Sequence, residues 1–202
     1  GAIELVAPRD AQLGDIATKV AKRIRWIVAQ RRAFAEMNHT RLPLRYVSGA
    51  THRYLGRQYR LKTERGESVG VRLRAGYFHV SGRTGNPEEI AALLGEWLRE
   101  HAQVQFSERL RKWNGWCHDR GLPTPSLRLL KMPKRWGSAH PNGRIYLSPE
   151  LVKAPPACID YVIAHEVCHL LHSAHDSKFY RQLSELIPDW KQIKARLESV
   201  DL

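Results

Sequence analysis

Five consecutive residues near position 165 combine the side chains that can hold a metal ion and activate water. They read His165-Glu166-Val167-Cys168-His169, the HExxH pattern. In a helix, residues four positions apart lie one turn apart on the same face, so both imidazoles can converge on one zinc ion. Glu166 points about 100° away from His165, where its carboxylate can reach a metal-bound water without becoming a ligand. The spacing therefore predicts two zinc ligands, His165 and His169, and one general base, Glu166.

A catalytic zinc site needs a third protein ligand, and two histidines follow the pattern. His172 comes three residues after His169 and would stay on the same helix face, but a continuous helix rises about 10 Å between His165 and His172. A single ion cannot easily serve both ends of that span. His175 lies six residues after His169, so a chain that leaves the helix before it can fold back onto the metal. We therefore predict His175 as the third ligand.

The pattern lies in a stretch that predicts two successive helices. Apolar residues recur at helical spacing over residues 159–171, directly after the prolines at 155–156. A second helical pattern covers residues 179–187 and ends at Pro188. The first of these helices would carry both histidines of the pattern and Glu166.

The chain ahead of these helices predicts a long helix followed by a small sheet. Asn86 and Pro87 are typical of a helix start, and the helical pattern runs from there to about residue 118. Three β-prone stretches follow, at residues 127–131, 134–139 and 144–147.

The first part of the chain has a different pattern. A short apolar run at residues 3–7 predicts a strand, residues 12–37 have helical spacing, and residues 44–80 alternate β-prone runs with glycine-containing turns. The fold class predicted for the whole chain is α+β. An N-terminal helix and an antiparallel β-meander precede a helix, a three-stranded sheet, the active-site helix and the C-terminal helices.

The charge is distributed unevenly and predicts two domains, residues 1–87 and 88–202. The 202 residues hold 33 Lys and Arg against 20 Asp and Glu, a formal charge of +13. The first part has 17 basic and 6 acidic residues, net +11, whereas the second has 16 and 14, net +2. A basic face in the first part would suit a nucleotide or a nucleic acid. Its candidate residues are Lys22, Arg23, Arg25, Arg31, Arg32, Arg53, Arg57, Arg60 and Lys62.

Composition excludes several classes of protein. An apolar share of 43% supports a packed core. The sequence contains no run of about 18 apolar residues, so it predicts neither a membrane span nor a membrane partner. The three cysteines, Cys117, Cys158 and Cys168, are widely spaced and odd in number, which argues against a disulfide framework. A cytoplasmic protein is the prediction.

Short stretches around the HExxH pattern carry a family resemblance. They read RWGS at 135–138, GRIYL at 143–147, APP at 154–156, IDYV at 159–162 and HDSKFY at 175–180. Together they resemble the YgjP-like metallopeptidases, a family related to the SprT-like and minigluzincin proteins. The resemblance implies a zincin-like domain in which His165, His169 and His175 bind zinc and Glu166 is the catalytic carboxylate. In this family a further strand usually precedes the equivalent of Ile3, so the resemblance also implies that this chain is shortened there.

The chain departs from the family pattern at three positions. The family commonly has a cysteine and a small polar residue after the Trp-Gly-Ser sequence, where this chain has Ala139 and His140, and it often has asparagine where this chain has Ser148. None of these positions is a predicted ligand, so the departures concern substrate selection rather than the metal.

The leading function is therefore a zinc metallopeptidase that acts on proteins or peptides. An extended peptide could pair with the predicted strand at 134–139 by strand addition. Two alternatives stay open: a metal-dependent UTP pyrophosphatase, and a nucleic-acid-associated protease or binder. The sequence offers no P-loop for a triphosphate and no helix-turn-helix or zinc-finger spacing.

Further side chains near the pattern are candidates for supporting roles. Contacts to the substrate or the transition state could come from Tyr161, His172, Tyr180 and Arg135. Asp160 and Asp176 could orient the ligand imidazoles as hydrogen-bond partners.

Overall fold

A computed structural model describes residues 12–18, 20–22, 24, 28 and 44–199. The chain divides into two compact units, residues 1–43 and 44–202. In the first unit the described residues from 13 onward are helical, within the helix predicted over 12–37. The strand predicted at 3–7 and the rest of that helix lie outside the described residues.

The second unit begins with a four-stranded sheet. Its strands are β1 (Thr51–Tyr54), β2 (Arg57–Arg65), β3 (Gly70–Arg74) and β4 (Tyr77–Gly82). The strand order is β1-β2-β4-β3, and β2 pairs with β4 in parallel. This order differs from the simple antiparallel meander predicted for residues 44–80. Burial explains the difference, because β4 carries the fully buried Phe78 and Val80 and takes an interior position, while the more polar β3 lies at the edge.

A long helix, α1 (Pro87–Arg111), covers one side of this sheet and connects it to the rest of the unit. Asn86 caps it by accepting a hydrogen bond from the Glu89 N–H at 2.8 Å, as the sequence predicts. Every fourth residue is buried, which gives one apolar stripe along its length. The stripe consists of Ile90, Leu94, Leu98, Ala102, Phe106 and Leu110. The predicted single helix to residue 118 is interrupted after Arg111, and α2 (Asn114–His118) follows.

The three-stranded sheet consists of β5 (Ser126–Leu129), β6 (Gly137–Ala139) and β7 (Arg144–Leu147), in the order β5-β7-β6. The strand β6 is an edge strand and is shorter than the predicted 134–139. A 3-10 helix (Pro149–Lys153) leads to α3 (Pro156–Cys168), and α4 (Ser177–Leu186) and α5 (Trp190–Ser199) follow. The helix α3 packs against β6, α1, α4 and α5. These elements confirm the α+β fold class.

Close backbone contacts connect the four-stranded sheet to the segment that leads into α3. The β1–β2 turn donates two backbone hydrogen bonds, from Leu55 N–H to the Val152 carbonyl at 2.9 Å and from Gly56 N–H to the Lys153 carbonyl at 3.0 Å. Gly56 has a φ of +77°, and a Cβ there would lie 2.7 Å from the Pro155 Cα. Only glycine fits this conformation and this close approach. The sheet is therefore held directly against the chain that enters α3.

In the part of the chain that the structure describes, no helix combines the length and the apolar character needed to cross a membrane. The division into domains at residue 87 stays a prediction.

Candidate active site

Three histidine side chains meet at the C-terminal end of α3. The Nε2 of His175 lies 3.0 Å from the Nε2 of His169 and 3.0 Å from the Nε2 of His165. All three nitrogens lie within 4.8 Å of one another. His165 lies in the last turn of α3, His169 is its C-cap, and His175 comes from the loop before α4.

The local chain path explains why His175 reaches this cluster. After Cys168 the helix closes with turn hydrogen bonds, and the next helix starts at an N-cap, Asp176, whose carboxylate accepts from the Lys178 and Phe179 N–H groups. The short loop between the two helices reverses the chain and returns His175 to the end of α3. His172 lies inside this loop and contributes its backbone carbonyl, which lies 3.0 Å from the Nδ1 of His169.

Phe179 forms the floor of the cluster. It is fully buried, and its ring centroid lies 5.0, 4.6 and 4.7 Å from those of His165, His169 and His175. Since a buried aromatic ring contacts all three imidazoles, it restricts their rotation and keeps the three nitrogens converged.

The cluster fits a metal cation better than it fits three free histidines. Burial, and then the neighbouring His169 and His175, lower the pKa of His165 to about 4, so this ring is neutral near neutral pH. The Nε2 of a neutral His175 has either one N–H or one lone pair, so it can make one good hydrogen bond. The second of its two contacts at 3.0 Å then stays unsatisfied. A cation between the three nitrogens satisfies all of them. Tetrahedral zinc, with Zn–N bonds of about 2.0–2.1 Å, needs nitrogen atoms separated by about 3.3 Å, close to the spacing seen.

The carboxylate of Glu166, the residue that follows His165 in α3, is buried, with 6% of the residue exposed. Burial raises the pKa of Glu166 to about 7, while the charge of Arg135 and a hydrogen bond from the Ala139 N–H act in the opposite direction. Gly137 lies against its side chain, since a Cβ there would lie 2.7 Å from both Cγ and Oε1 of Glu166. Two contacts with the edge strand β6 therefore position Glu166: the hydrogen bond from the Ala139 N–H and the close packing against Gly137.

The two tyrosines predicted near the site occupy different environments. Tyr161 is buried, its ring centroid lies 6.0 Å from that of His165, and burial raises its pKa to about 12. Tyr180 is 40% exposed, stacks on Trp190 and has its ring centroid 6.2 Å from that of His175. Only Tyr180 combines exposure with proximity to the three imidazoles.

Neither predicted aspartate hydrogen-bonds to the three imidazoles within the described chain. The Asp160 carboxylate faces α1, where the Nε of Arg109 lies 3.1 Å from its Oδ1. Asp176 is occupied by capping α4. The His169 ring is instead oriented by the backbone carbonyl of His172. The second residue that departs from the family pattern, His140, lies in the turn between β6 and β7.

Sequence reasoning missed three contributors to the site. Phe179 reads as an ordinary apolar position of a helix, and Gly137 reads as part of a motif with no assigned role. The Ala139 contribution comes from a backbone N–H, which any residue except proline supplies. The departure from the family pattern at Ala139 therefore leaves the hydrogen bond to Glu166 in place.

The chain is similar to known metallopeptidase domains in sequence. The chain matches the family model described as YgjP-like, metallopeptidase domain, over residues 1–200. Two solved structures are similar in part. The metallopeptidase zymogen abylysin of Pyrococcus abyssi is 22% identical, with a TM-score of 0.36, over 51% of this chain and 90% of that one. A Wss1 mutant from Saccharomyces cerevisiae is 25% identical, with a TM-score of 0.38, over 48% of this chain and 83% of that one.

No curated protein matches the chain. The family model, however, spans almost its entire length, including the three histidines, Glu166 and the edge strand β6. The chain therefore belongs to the YgjP-like family of metallopeptidase domains.

Proposed function

We propose that the protein is a zinc-dependent peptidase in which His165, His169 and His175 hold the metal and Glu166 is the general base. The observation that carries this proposal is the convergence of three imidazole nitrogens at the end of the helix that also carries the buried carboxylate of Glu166. Three nitrogen ligands favour zinc over magnesium, which prefers oxygen ligands. Membership of a metallopeptidase family supports the peptide substrate.

The zinc ion supplies Lewis-acid chemistry when bound, acidifying water and polarising the carbonyl of the scissile bond. Glu166 accepts a proton from the attacking water at its carboxylate and returns it to the leaving amine. A pKa of about 7, raised by burial, suits a group that must both take and release a proton near neutral pH. The hydrogen bond from the Ala139 N–H holds the carboxylate in place during this exchange.

The edge strand β6 gives the substrate its orientation. The Ala139 N–H points to Glu166, whereas the next amide, that of His140, points to the Arg144 carbonyl on the partner strand β7. Successive N–H groups along a strand point to opposite edges. Glu166 therefore lies at the edge of β6 that does not pair with another strand. An extended peptide that adds to this edge carries its backbone past the carboxylate and the three histidines.

Tyr180 is the best placed of the predicted supporting residues to contact the substrate, since it is exposed and adjacent to His175. Tyr161 is buried and the His172 carbonyl is occupied by His169, so we assign them structural roles. Arg135 is exposed, and its positive charge is close enough to Glu166 to lower the pKa of that carboxyl group. It is the second candidate for a contact with the substrate.

The test of this function combines metal analysis with two substrates. Purified protein, never exposed to chelators, should contain one zinc ion per chain by mass spectrometry and should cleave casein. Removal of the metal with 1,10-phenanthroline should abolish cleavage, and zinc should restore it. Hydrolysis of UTP, measured in parallel, tests the alternative function as a pyrophosphatase. Magnesium-dependent UTP turnover without casein cleavage would contradict the proposal.

Gly137→Ala should lower the rate of peptide hydrolysis by about a hundredfold, with zinc content unchanged. The added methyl group would lie 2.7 Å from the Glu166 Cγ and Oε1, so the carboxylate must move. Displacing a catalytic group by about 1 Å costs rates of that order. Ser138→Ala, on the same strand, is the matched control and should retain activity. Full activity in the Gly137 variant would show that the contact with Glu166 is unimportant.

A further inference from the structure

The four-stranded sheet has one side without a covering helix in the described part of residues 44–202. Side chains alternate between the two sides of a strand, and the buried Phe78 and Val80 of β4 face α1. Tyr77 and His79 therefore lie on the opposite side. Both are partly exposed, and their ring centroids are 6.2 Å apart.

Strand register places basic residues on both sides of these two rings. Arg60 of β2 and Arg74 of β3 both pair with Tyr77. Lys62 of β2 and Arg72 of β3 both pair with His79. The result is a central column of two rings between two columns of two cations each. We call these six residues the basic sheet face. With strands about 4.8 Å apart, the two cation columns are separated by roughly 10 Å.

The four cations are exposed, and in the part of the chain that the structure describes none of them forms an ion pair with a carboxylate. Lys62 contacts the Tyr77 ring, with its Nζ 4.1 Å from the centroid. Glu64 is the next residue on this side of β2 and carries a negative charge, but the four cations outnumber it and attract an anion with repeated charges. Arg57, predicted to share this face, pairs with the buried Tyr54 and so lies on the other side of the sheet. Arg72 and Arg74 were not predicted.

We propose that the basic sheet face binds single-stranded nucleic acid. Exposed cations contact phosphates, and aromatic rings on a sheet stack on bases that are free of a partner strand. Because a lysine has a flexible four-carbon stem, Lys62 can exchange the Tyr77 ring for a phosphate when a base stacks there. Duplex DNA hides its base faces, and an anionic membrane surface would engage the four cations but offer no bases to the two rings.

The face belongs to the same unit as the histidine cluster. The β1–β2 turn contacts the 3-10 helix and packs against Pro155, directly before α3. A bound strand would therefore stay at a constant distance from the site. The inference does not depend on peptidase activity, since binding is measured without a peptide substrate.

The test is fluorescence anisotropy of the full chain with a labelled 15-nucleotide oligo-dT. Arg72→Glu/Arg74→Glu should weaken binding at least tenfold. Arg99→Glu/Arg128→Glu, an identical charge change on α1 and β5, is the matched control and should weaken it less than threefold. Tyr77→Ala should weaken binding at least fivefold, whereas Tyr77→Phe should stay within twofold, because stacking requires the ring and not the hydroxyl. Affinity should fall steeply with salt.

Melting temperature and zinc content of each variant show whether it is folded. Unchanged affinity in the folded Arg72/Arg74 variant would overturn the proposal and place binding elsewhere on the chain. Equal affinity for oligo-dT, duplex DNA and anionic vesicles, with no effect of Tyr77→Ala, would also overturn it, since the face would then be a non-selective anion binder.

Discussion

Replacing Glu166 with glutamine is expected to lower peptide hydrolysis by about a hundredfold to ten-thousandfold while zinc stays bound. Glutamine has nearly the same shape as glutamate and can still accept the Ala139 hydrogen bond, but it cannot take a proton from water. The side chain is almost fully buried and lies against Gly137, so a residue of the same size preserves the packing. The measurement is the rate of casein cleavage together with zinc content.

Glu185→Gln provides the control for this experiment, because it makes the same chemical change at an exposed position of α4. Its activity should match that of the unmodified protein. Undiminished activity in the Glu166 variant would remove Glu166 from the mechanism, and loss of zinc in that variant would make it a ligand rather than a base.

Replacing His175 with alanine is expected to weaken zinc binding by more than about a hundredfold, whereas His172→Ala should change it by less than about threefold. His175 contributes one of three converging nitrogens, and losing a ligand costs more than the 10–100-fold typical of losing an outer partner. His172 supports His169 through its backbone carbonyl, which the alanine variant keeps. Zinc affinity is measured by competition with a chromogenic chelator.

These two histidines are matched, since both lie in the loop between α3 and α4. The opposite ranking, with zinc lost from the His172 variant and retained by the His175 variant, would contradict the proposed ligand set. Equal losses in both variants would contradict it too, since they would mean that the whole loop, and not one imidazole, holds the metal.

Local regularity explains which parts of the fold could be predicted from sequence. The Asn86 cap, the start of α1 and the place of α3 between Pro155 and the chain reversal depend on residues close together in sequence. The α+β class follows from the same local patterns. The order of the four-stranded sheet does not, because the position of β4 depends on what packs against Phe78 and Val80 from α1.

Part of the candidate site can likewise be predicted from local sequence, and part of it depends on tertiary packing. HExxH spacing alone predicts that His165 and His169 share a helix face, because helical geometry repeats every 3.6 residues. The spacing cannot show that Phe179 packs beneath the imidazoles or that Gly137 lies against Glu166. Both contacts join residues separated by many positions, and only packing brings them together.

The uneven distribution of charge also shows what sequence alone leaves undetermined. The sequence shows that basic residues concentrate before residue 88, but it does not reveal which of them share a surface. Strand pairing places Arg72 and Arg74 beside Tyr77 and His79, and it places Arg57 on the other side.

By itself, then, the sequence determined the residue types, their helical spacing and the family, because each of these is encoded in short stretches of chain. The spacing of the histidines already favours His175 over His172, and in the tertiary structure the ring of His175 lies against the other two. The tertiary structure alone decided that β6 presents its free edge to Glu166, and that four cations surround two aromatic rings. Each of these depends on where the chain reverses and which strands pair, and those choices are set by burial of side chains that are distant in sequence.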